Sequence, residues 1–387
     1  MKIAHLADIH LGFRQYHRLT PAGINQREAD VANAFRAAID GVIAERPDAV
    51  VVAGDLFHAV RPTNAAIVFA FRQFQRLREA LPGAPVVLIA GNHDTPRSAE
   101  TGSILRLFEE LGVDVAGDAP RRLEYPRLGL SILAVSHQAL VGPERPTLGP
   151  AGDARHQVLV LHGEVEGVFP VDRSAVEYGG AVLPRAELHA AEWSYVALGH
   201  YHTQHEVAPR VWYAGALEYV SSNIWGEVRD DAEHGHPEKG WILADLESGA
   251  VVRHPLAMAR RIHDLPPLDA GGLAAAEVDT RIAAALATVP GGLPDNIVRL
   301  VVRNIPRHVV REIDHAALRA AKGIALHLQV EFRRPEPARA VGVGAPGRRQ
   351  TLPELVQDYL GRRALPAEID RERFVREGVA LLSEADD

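Results

Sequence analysis

The sequence predicts an α/β protein followed by a smaller α+β unit and a helical tail, and three observations predict it. Short apolar runs alternate with helical patterns through the first two-thirds of the chain. From about Arg260, with a break at Leu265-Pro266-Pro267, the texture changes, and helix and strand patterns alternate over a shorter span. Beyond a stretch rich in Pro, Gly and Arg, the last residues return to a helical period. The expected units are 1–259, 260–334, a linker at 335–350 and a tail at 351–387. A length of 387 residues already exceeds one ordinary domain.

In chain order, Ile3–Ala7, Ala49–Ala53, Val86–Ala90, Val158–Leu161 and Tyr195–Leu198 are short continuous apolar runs and are expected as buried strands. Arg27–Glu45, Asn64–Leu81 and Ser103–Leu111 carry helical patterns between them. Trp212–Tyr213, Gly240–Asp245 and Ala250–His254 are expected as further strands, the last two joined through the turn signal Glu247-Ser248-Gly249. The second unit is expected as a helix at Ala274–Ala287, a strand at Ile297–Val302, a helix at Val310–Ala321 and a strand at Ile324–Phe332. In the tail, Leu352, Leu355, Val356, Tyr359 and Leu360 follow i, i+3, i+4, i+7, i+8, with Pro353 suited to a first turn. A second tail helix is expected from Pro366 to Ser383. Two such short helices need a surface to bury against, either their own chain or a partner.

Composition narrows the function classes. Hydrophobic content of 47% and charged content of 24% describe a globular chain with a real core. The absence of cysteine excludes disulfides, thiolate-bound zinc and thiol catalysis. The start, MKIAHLADIH, carries Asp8 and His10 where a leader needs an apolar stretch, and no apolar run reaches membrane-spanning length, so a cytoplasmic protein without membrane contact is expected. A net charge of −8 argues against a uniformly basic coat, though not against a local cluster of Arg that meets phosphate.

The chemistry lies where the strands end. Asp8-Ile9-His10 follows the first, Gly54-Asp55-Leu56-Phe57-His58 the second, Gly91-Asn92-His93-Asp94 the third, His162-Gly163 the fourth and Gly199-His200-Tyr201-His202 the fifth. In α/β sheets, sites form at the carboxyl ends of strands. Each piece alone is a common turn, and His58 alone is an ordinary hydrogen-bonded histidine. Together they collect carboxylate, imidazole and one amide without thiolate, a mixture suited to manganese, iron or zinc, with the oxygen share favouring harder ions. There are too many ligands for one four-coordinate site, and a carboxylate bridging two cations uses them all. Asn92 is then a neutral oxygen ligand, His93 is placed to protonate or stabilise a leaving oxygen, and Asp94 is expected to orient a neighbour or anchor the turn. His234 and His236, in DDAEHGHPEKG, are expected on an exposed loop.

These motifs resemble the calcineurin-like metallophosphoesterase superfamily. Within it the chain is similar to the SbcD nuclease family, bacterial relatives of the Mre-eleven nuclease. The narrower likeness includes Arg27-Glu28-x-Asp30 at a helix start, Arg61-Pro62, Tyr213-Ala214-Gly215-Ala216-Leu217-Glu218 leading to Gly226-Glu227, and Lys239-Gly240-Trp241 opening a strand. It is strong to about Asp245 and architectural from Arg260 onward. The resemblance implies two packed β-sheets flanked by helices, with 260–334 as a capping domain. It implies two Mn2+ ions (Mg2+ or another divalent ion in their place), one held by Asp8, His10, Asp55 and His202, the other by Asp55, Asn92, His162 and His200. His93 would assist the leaving group, and His58 would position a DNA phosphate or His93.

The implied activity is 3′ to 5′ exonuclease cleavage of double-stranded DNA together with endonuclease cleavage of single strands and hairpins, in DNA end processing and double-strand break repair. An SbcC-type coiled-coil ATPase would bind the tail helices, and the chain contains no Gly-x-x-x-x-Gly-Lys-[Ser/Thr] phosphate loop of its own. The apolar helix Asn64–Leu81, with Ile67, Val68, Phe69, Phe71, Phe74 and Leu77, would form a homodimer. The competing readings are a small-molecule phosphodiesterase or phosphatase with the same metals, and a DNA-end-binding subunit whose metal site is only structural.

Overall fold

The computed structural model describes residues 1–96, 102–142, 145–168, 181–236, 238–335, 352–363, 365 and 369–385. From residue 336 on, the expected linker lies outside them, as do Thr351 and residues 366–368 of the tail.

The apolar runs pair into two six-stranded sheets packed face to face. β1 (Lys2–Leu6), β2 (Ala49–Val52), β3 (Val86–Ile89) and β4 (Asp114–Ala116) lie parallel in the first, with α1 (Gln26–Glu45) and α2 (Asn64–Ala80) crossing over between them. β5 (Arg121–Tyr125), β6 (Leu130–Val135) and β7 (His156–His162) begin the second, with the short α3 (His137–Val141) after β6. β8 (Glu164–Val165) and β9 (Val182–Leu183) pair with each other. β10 (Tyr195–Gly199), β11 (His205–Ala208) and β12 (Val211–Tyr213) complete the second sheet. After α4 (Ile224–Glu233), β13 (Gly240–Asp245) and β14 (Val251–Pro255) return to the first. The orders are β14-β13-β1-β2-β3-β4 and β11-β12-β10-β7-β6-β5.

Strand alternation sorts the core into layers. Ile3, Val51, Val87 and Ile89 meet Ile132, Val158, Val160 and Ala197 between the sheets. Ala4, Leu6, Val50 and Leu88 point the other way, onto Phe35, Ile39, Phe74 and Leu77 of α1 and α2. Leu159, Leu161, Val196 and Leu198 cover the outer face of the second sheet with Trp193 and Leu188. Burial on both faces is why these strands read as continuous apolar runs. Asn25 caps α1, accepting from the N–H groups of Arg27 and Glu28, and Thr63 caps α2.

Residues 262–332 build a separate core. β15 (Ile262–Asp264), β16 (Leu268–Asp269), β17 (Ile297–Arg303) and β18 (His327–Phe332) form a four-stranded parallel sheet. α5 (Ala275–Ala287), α6 (Arg307–Glu312) and α7 (His315–Ile324) pack on it through Val278, Ile282, Val309 and Leu318. A junction joins this unit to the first: Trp225 packs among Ile224, Ile297 and Leu326, and its indole N–H donates to Gln329 Oε1 at 3.0 Å. In the tail, α8 (Leu352–Arg362) packs on α9 (Arg371–Ala385), with Leu360 against Gly378. Among the described residues no helix is long and apolar enough to cross a membrane.

The structure corrects several expectations. The helix expected at Ser103–Leu111 is a 3-10 helix over Ile104–Leu111, capped by Ser103 and closed by Gly112 in the left-handed region. The single helix expected at Val310–Ala321 is two: Ile313 is extended, and Asp314 restarts the helix by accepting from the N–H groups of Ala316 and Ala317. The strand expected from Ile324 begins at His327, because Ile324 still belongs to α7. Among its described residues, the stretch DDAEHGHPEKG is only in part an exposed loop, and neither His234 nor His236 is fully exposed. Its first residues lie in α4, His234 is half-buried, and Asp231 and Lys239 are buried. Strands β4 to β6 and β11 were not expected at all. β4, β5 and β11 lie at sheet edges, and Arg121–Tyr125 exposes most of its residues at least in part and carries no apolar run, whereas the apolar run of β6 is buried throughout between β5 and β7.

Candidate metal centre

The carboxyl ends of β1, β2 and β3 in one sheet face those of β7 and β10 in the other, and the strand-end polar residues meet between them. Two clusters that include a carboxylate form with donor atoms all within 4.8 Å of one another: Asp8, His10 and His202, and Asp55, His162 and His200. All six residues are buried. Asn92 completes the second cluster. Its Oδ1 lies 2.9 Å from His162 Nε2 and 3.0 Å from His200 Nδ1. In the first, His10 Nε2 and His202 Nε2 are 3.2 Å apart.

Asp55 stands between the clusters. Its Oδ1 accepts from the His93 N–H at 2.9 Å. Its buried Oδ2 has no hydrogen-bond partner and sits 3.3 Å from His162 Nε2 and 3.7 Å from His10 Nε2. Donor atoms about 3 Å apart fit around a cation with ligands at roughly 2.1 Å. A carboxylate oxygen so deep and without a hydrogen bond is costly unless a cation joins it. The residues therefore fit divalent metal, with Asp55 within reach of both clusters.

The backbone is bent to deliver these groups. Asp8, His10, Asp55 and His200 all have positive φ, at 51, 51, 52 and 103°. Such conformations cost of order 1–3 kcal/mol each for residues with a Cβ and persist where the surroundings over-determine them. Here the ladder continues past the strands: the Asp8 N–H donates to Gly54 O at 3.1 Å and the His10 N–H to Asp55 O at 2.9 Å. The Asp8 carboxylate in turn accepts from the His200 N–H, joining the two sheets. At Gly91 and Gly199 close approach requires glycine: a Cβ would collide with the Asp55 carboxylate at the first and with the Ala53 carbonyl at the second.

Electrostatics follows from the crowding. Burial pushes the Asp55 carboxyl up, but the imidazoles of His162, His10 and His93 outweigh it and hold Asp55 well below the usual carboxylate range. Burial pulls His162 down, yet Asp55 and Asp8 raise it to about 9. A cation held there would displace that proton. Asp94 is raised to about 6 by burial and by the Asp55 charge. Its role is the anchoring one: the carboxylate accepts from the N–H groups of Leu56, Phe57 and Gly91, locking the second strand-end loop to the third.

His58 and His93 lie beside the first cluster. Their rings stack with centroids 5.2 Å apart, and the His93 Nδ1–H donates to the His58 carbonyl at 2.7 Å. His58 Nδ1 is 3.3 Å from His10 Nδ1. Three acids and bases that received no role from the sequence also approach the clustered histidines. Glu164 Oε1 is 3.7 Å from His200 Nε2, Glu227 Oε1 is 3.9 Å from His202 Nδ1, and Lys239 Nζ donates to the His202 carbonyl at 3.0 Å. Glu164 sits two residues after a ligand, the one signal that pointed to it.

A family model described as calcineurin-like phosphoesterase matches residues 1–204, just over half of the chain. The chain is 34% identical over 211 residues to the DNA double-strand break repair protein Mre11 of Sulfurisphaera tokodaii, covering 52% of this chain and 49% of that protein. It is 27% identical over 267 residues to the protein of the same name from Methanocaldococcus jannaschii, covering 64% and 63%. With that of Saccharolobus solfataricus it shares 29% over 214 residues, covering 53% and 50%. The matched region thus spans less than two thirds of each relative's length.

Proposed function

Because the chain belongs to the calcineurin-like phosphoesterase family, we propose that it is a metal-dependent DNA nuclease of double-strand break repair, the nuclease subunit of an SbcC–SbcD type complex. The observation that carries this reading is the Asp55 Oδ2 position between two clusters supplied by both sheets. The similarity to Mre11 repair proteins directs it to DNA.

Asp8, His10, Asp55 and His202 would hold one manganese, and Asp55, Asn92, His162 and His200 the other. When bound, the pair supplies charge that polarises the phosphodiester and acidifies an attacking water. The protein's part is orientation and proton handling. The His58 carbonyl fixes the His93 proton on Nδ1, so Nε2 is the working atom. In its protonated form, Nε2–H donates to the departing 3′ oxygen, while the Nδ1–H bond steadies the cationic ring. His58, stacked on His93, keeps that ring in place.

In the same reading, 1–259 is the nuclease unit, 260–334 caps the site and selects DNA ends, and 351–387 binds the ATPase partner. A second copy of the chain packs on α2. The expected products are those of 3′ to 5′ exonuclease action on duplex DNA and endonuclease cuts in single strands and hairpins.

The test is a linear duplex labelled at either end, incubated with the full chain and Mn2+, beside bis-p-nitrophenyl phosphate and a His93→Ala control. The expected result is manganese-dependent shortening from the 3′ end, reduced about 100-fold or more in the variant with both ions still bound. Hydrolysis of the small ester with DNA untouched, even with an SbcC-type ATPase and ATP added, would replace this reading by a small-molecule phosphodiesterase.

A further inference from the structure

Behind His202 lies a charge cluster buried as deeply as the ligands. Lys239, at the entry to β13, places Nζ 2.7 Å from Glu227 Oε1 and 2.8 Å from Asp231 Oδ2, with Nζ 4.5 Å from the Tyr219 ring centroid. Glu227, Asp231 and Lys239 are each at most 2% exposed. The same Nζ donates to the His202 carbonyl. Glu227 Oε2 accepts from the Ser221 N–H at 3.1 Å, and Oε1, beside Lys239 Nζ, lies 3.9 Å from His202 Nδ1, too far for a hydrogen bond but close enough for its charge to act on the ring. The other ring nitrogen, Nε2, faces His10.

Stability alone does not account for this cluster. Desolvating a lysine and two carboxylates costs several kcal/mol per ion, and apolar side chains of similar volume often serve a core as well or better. Its position does account for it. A carboxylate charge on the far side of a ligating imidazole favours the tautomer whose proton faces it, which leaves the other nitrogen free to donate. Lys239 ties the carboxylate and the ligand's backbone to one point, and Asp231 keeps the lysine paired.

We infer that Glu227, held by Lys239, is a positioning residue for His202, fixing its Nε2 toward the first cation position and setting that position's affinity separately from the second. The inference rests on the two-cation reading of the site. Residues Gly226-Glu227 and Lys239, which the sequence motif contains without explaining, thereby acquire a task.

The test is calorimetric titration of the metal-free full chain with Mn2+, compared with Glu227→Gln and Glu227→Asp. Glu227→Gln leaves Lys239 its Asp231 partner. The expected result is a loss of about 10–100-fold in affinity for one manganese, with the other within twofold and the metal-free melting temperature little changed. Glu227→Asp retains a carboxylate and should recover part of the loss. It also serves if the glutamine variant does not fold. Two unchanged affinities, or an equal fall in both, would overturn the inference by making the cluster a structural element only. Wild-type protein that takes up no manganese would instead overturn the two-cation reading itself.

Discussion

His5 sits among the residues between the sheets, on the same face of β1 as Ile3, and its Nδ1 lies 3.0 Å from the Tyr195 hydroxyl of the opposite sheet. Burial strips its ring of water and lowers its pKa to about 3 from an ordinary 6.5. The sign follows from linkage. The unfolded chain takes up the proton first as pH falls, so the stability His5 contributes is intact above 6.5 and is lost progressively between 6.5 and 3. By pH 5 the loss amounts to about 2 kcal/mol. In urea melts of metal-free protein, His5→Gln should therefore lose about that much less stability than wild type between pH 7 and pH 5. Parallel losses in the two proteins would show that His5 is not the neutral buried ring described here. The clustering of the candidate ligands was legible because each follows a short apolar run with Gly close by, and that local pattern survives in one dimension. Glu227 and Lys239 were not, and Glu164 had only its place near His162, since their relation to His200 and His202 arises when β8, β10, α4 and β13 come together.

At the scale of elements, α2 shows how far periodicity reaches. Its apolar start exceeds what one buried face needs. In the structure Ala66, Ala70, Phe74 and Leu77 take that face, while Ile67, Phe69 and Phe71 are half-buried and Val68 is 49% exposed. A second copy of the chain packed on α2 would cover the surplus. Val68→Glu places a charge at the middle of that surface and should convert a dimer to a monomer in sedimentation equilibrium, with the melting temperature of the folded unit little affected. A wild-type chain that sediments as a monomer, or a dimer that tolerates the charge, would remove α2 from the interface. Elements whose apolar residues are covered on both sides, such as β1, β2 and β3, were read closely from sequence, whereas those governed by one side chain were not. Asp314 splits α6 from α7 with two hydrogen bonds, and nothing in the surrounding helical pattern outweighs them. The buried half of α4 was hidden by its charge, because Asp231 is paired with a lysine eight residues on.

Across the whole molecule, the site joins two layers that otherwise meet largely through apolar packing. Asp8, His10, Asp55 and Asn92 come from the sheet backed by α1 and α2, and His162, His200 and His202 from the other. Cations shared by these residues would therefore staple sheet to sheet, and ligand binding to the folded state alone raises stability by mass action. At a hundredfold excess of Mn2+ over its dissociation constant, each filled position contributes about 2.7 kcal/mol. In a unit of this size that corresponds to a rise of about 5–10 °C in melting temperature. Asp55 is the member common to both clusters, so Asp55→Asn should remove most of the manganese-dependent rise rather than half of it. The metal-free variant should still melt cooperatively, since Asn retains an oxygen for the His93 N–H. Differential scanning calorimetry with and without Mn2+ reads both quantities. A rise of equal size in wild type and variant would mean that the cations bind without Asp55, and the bridging arrangement would fall with it.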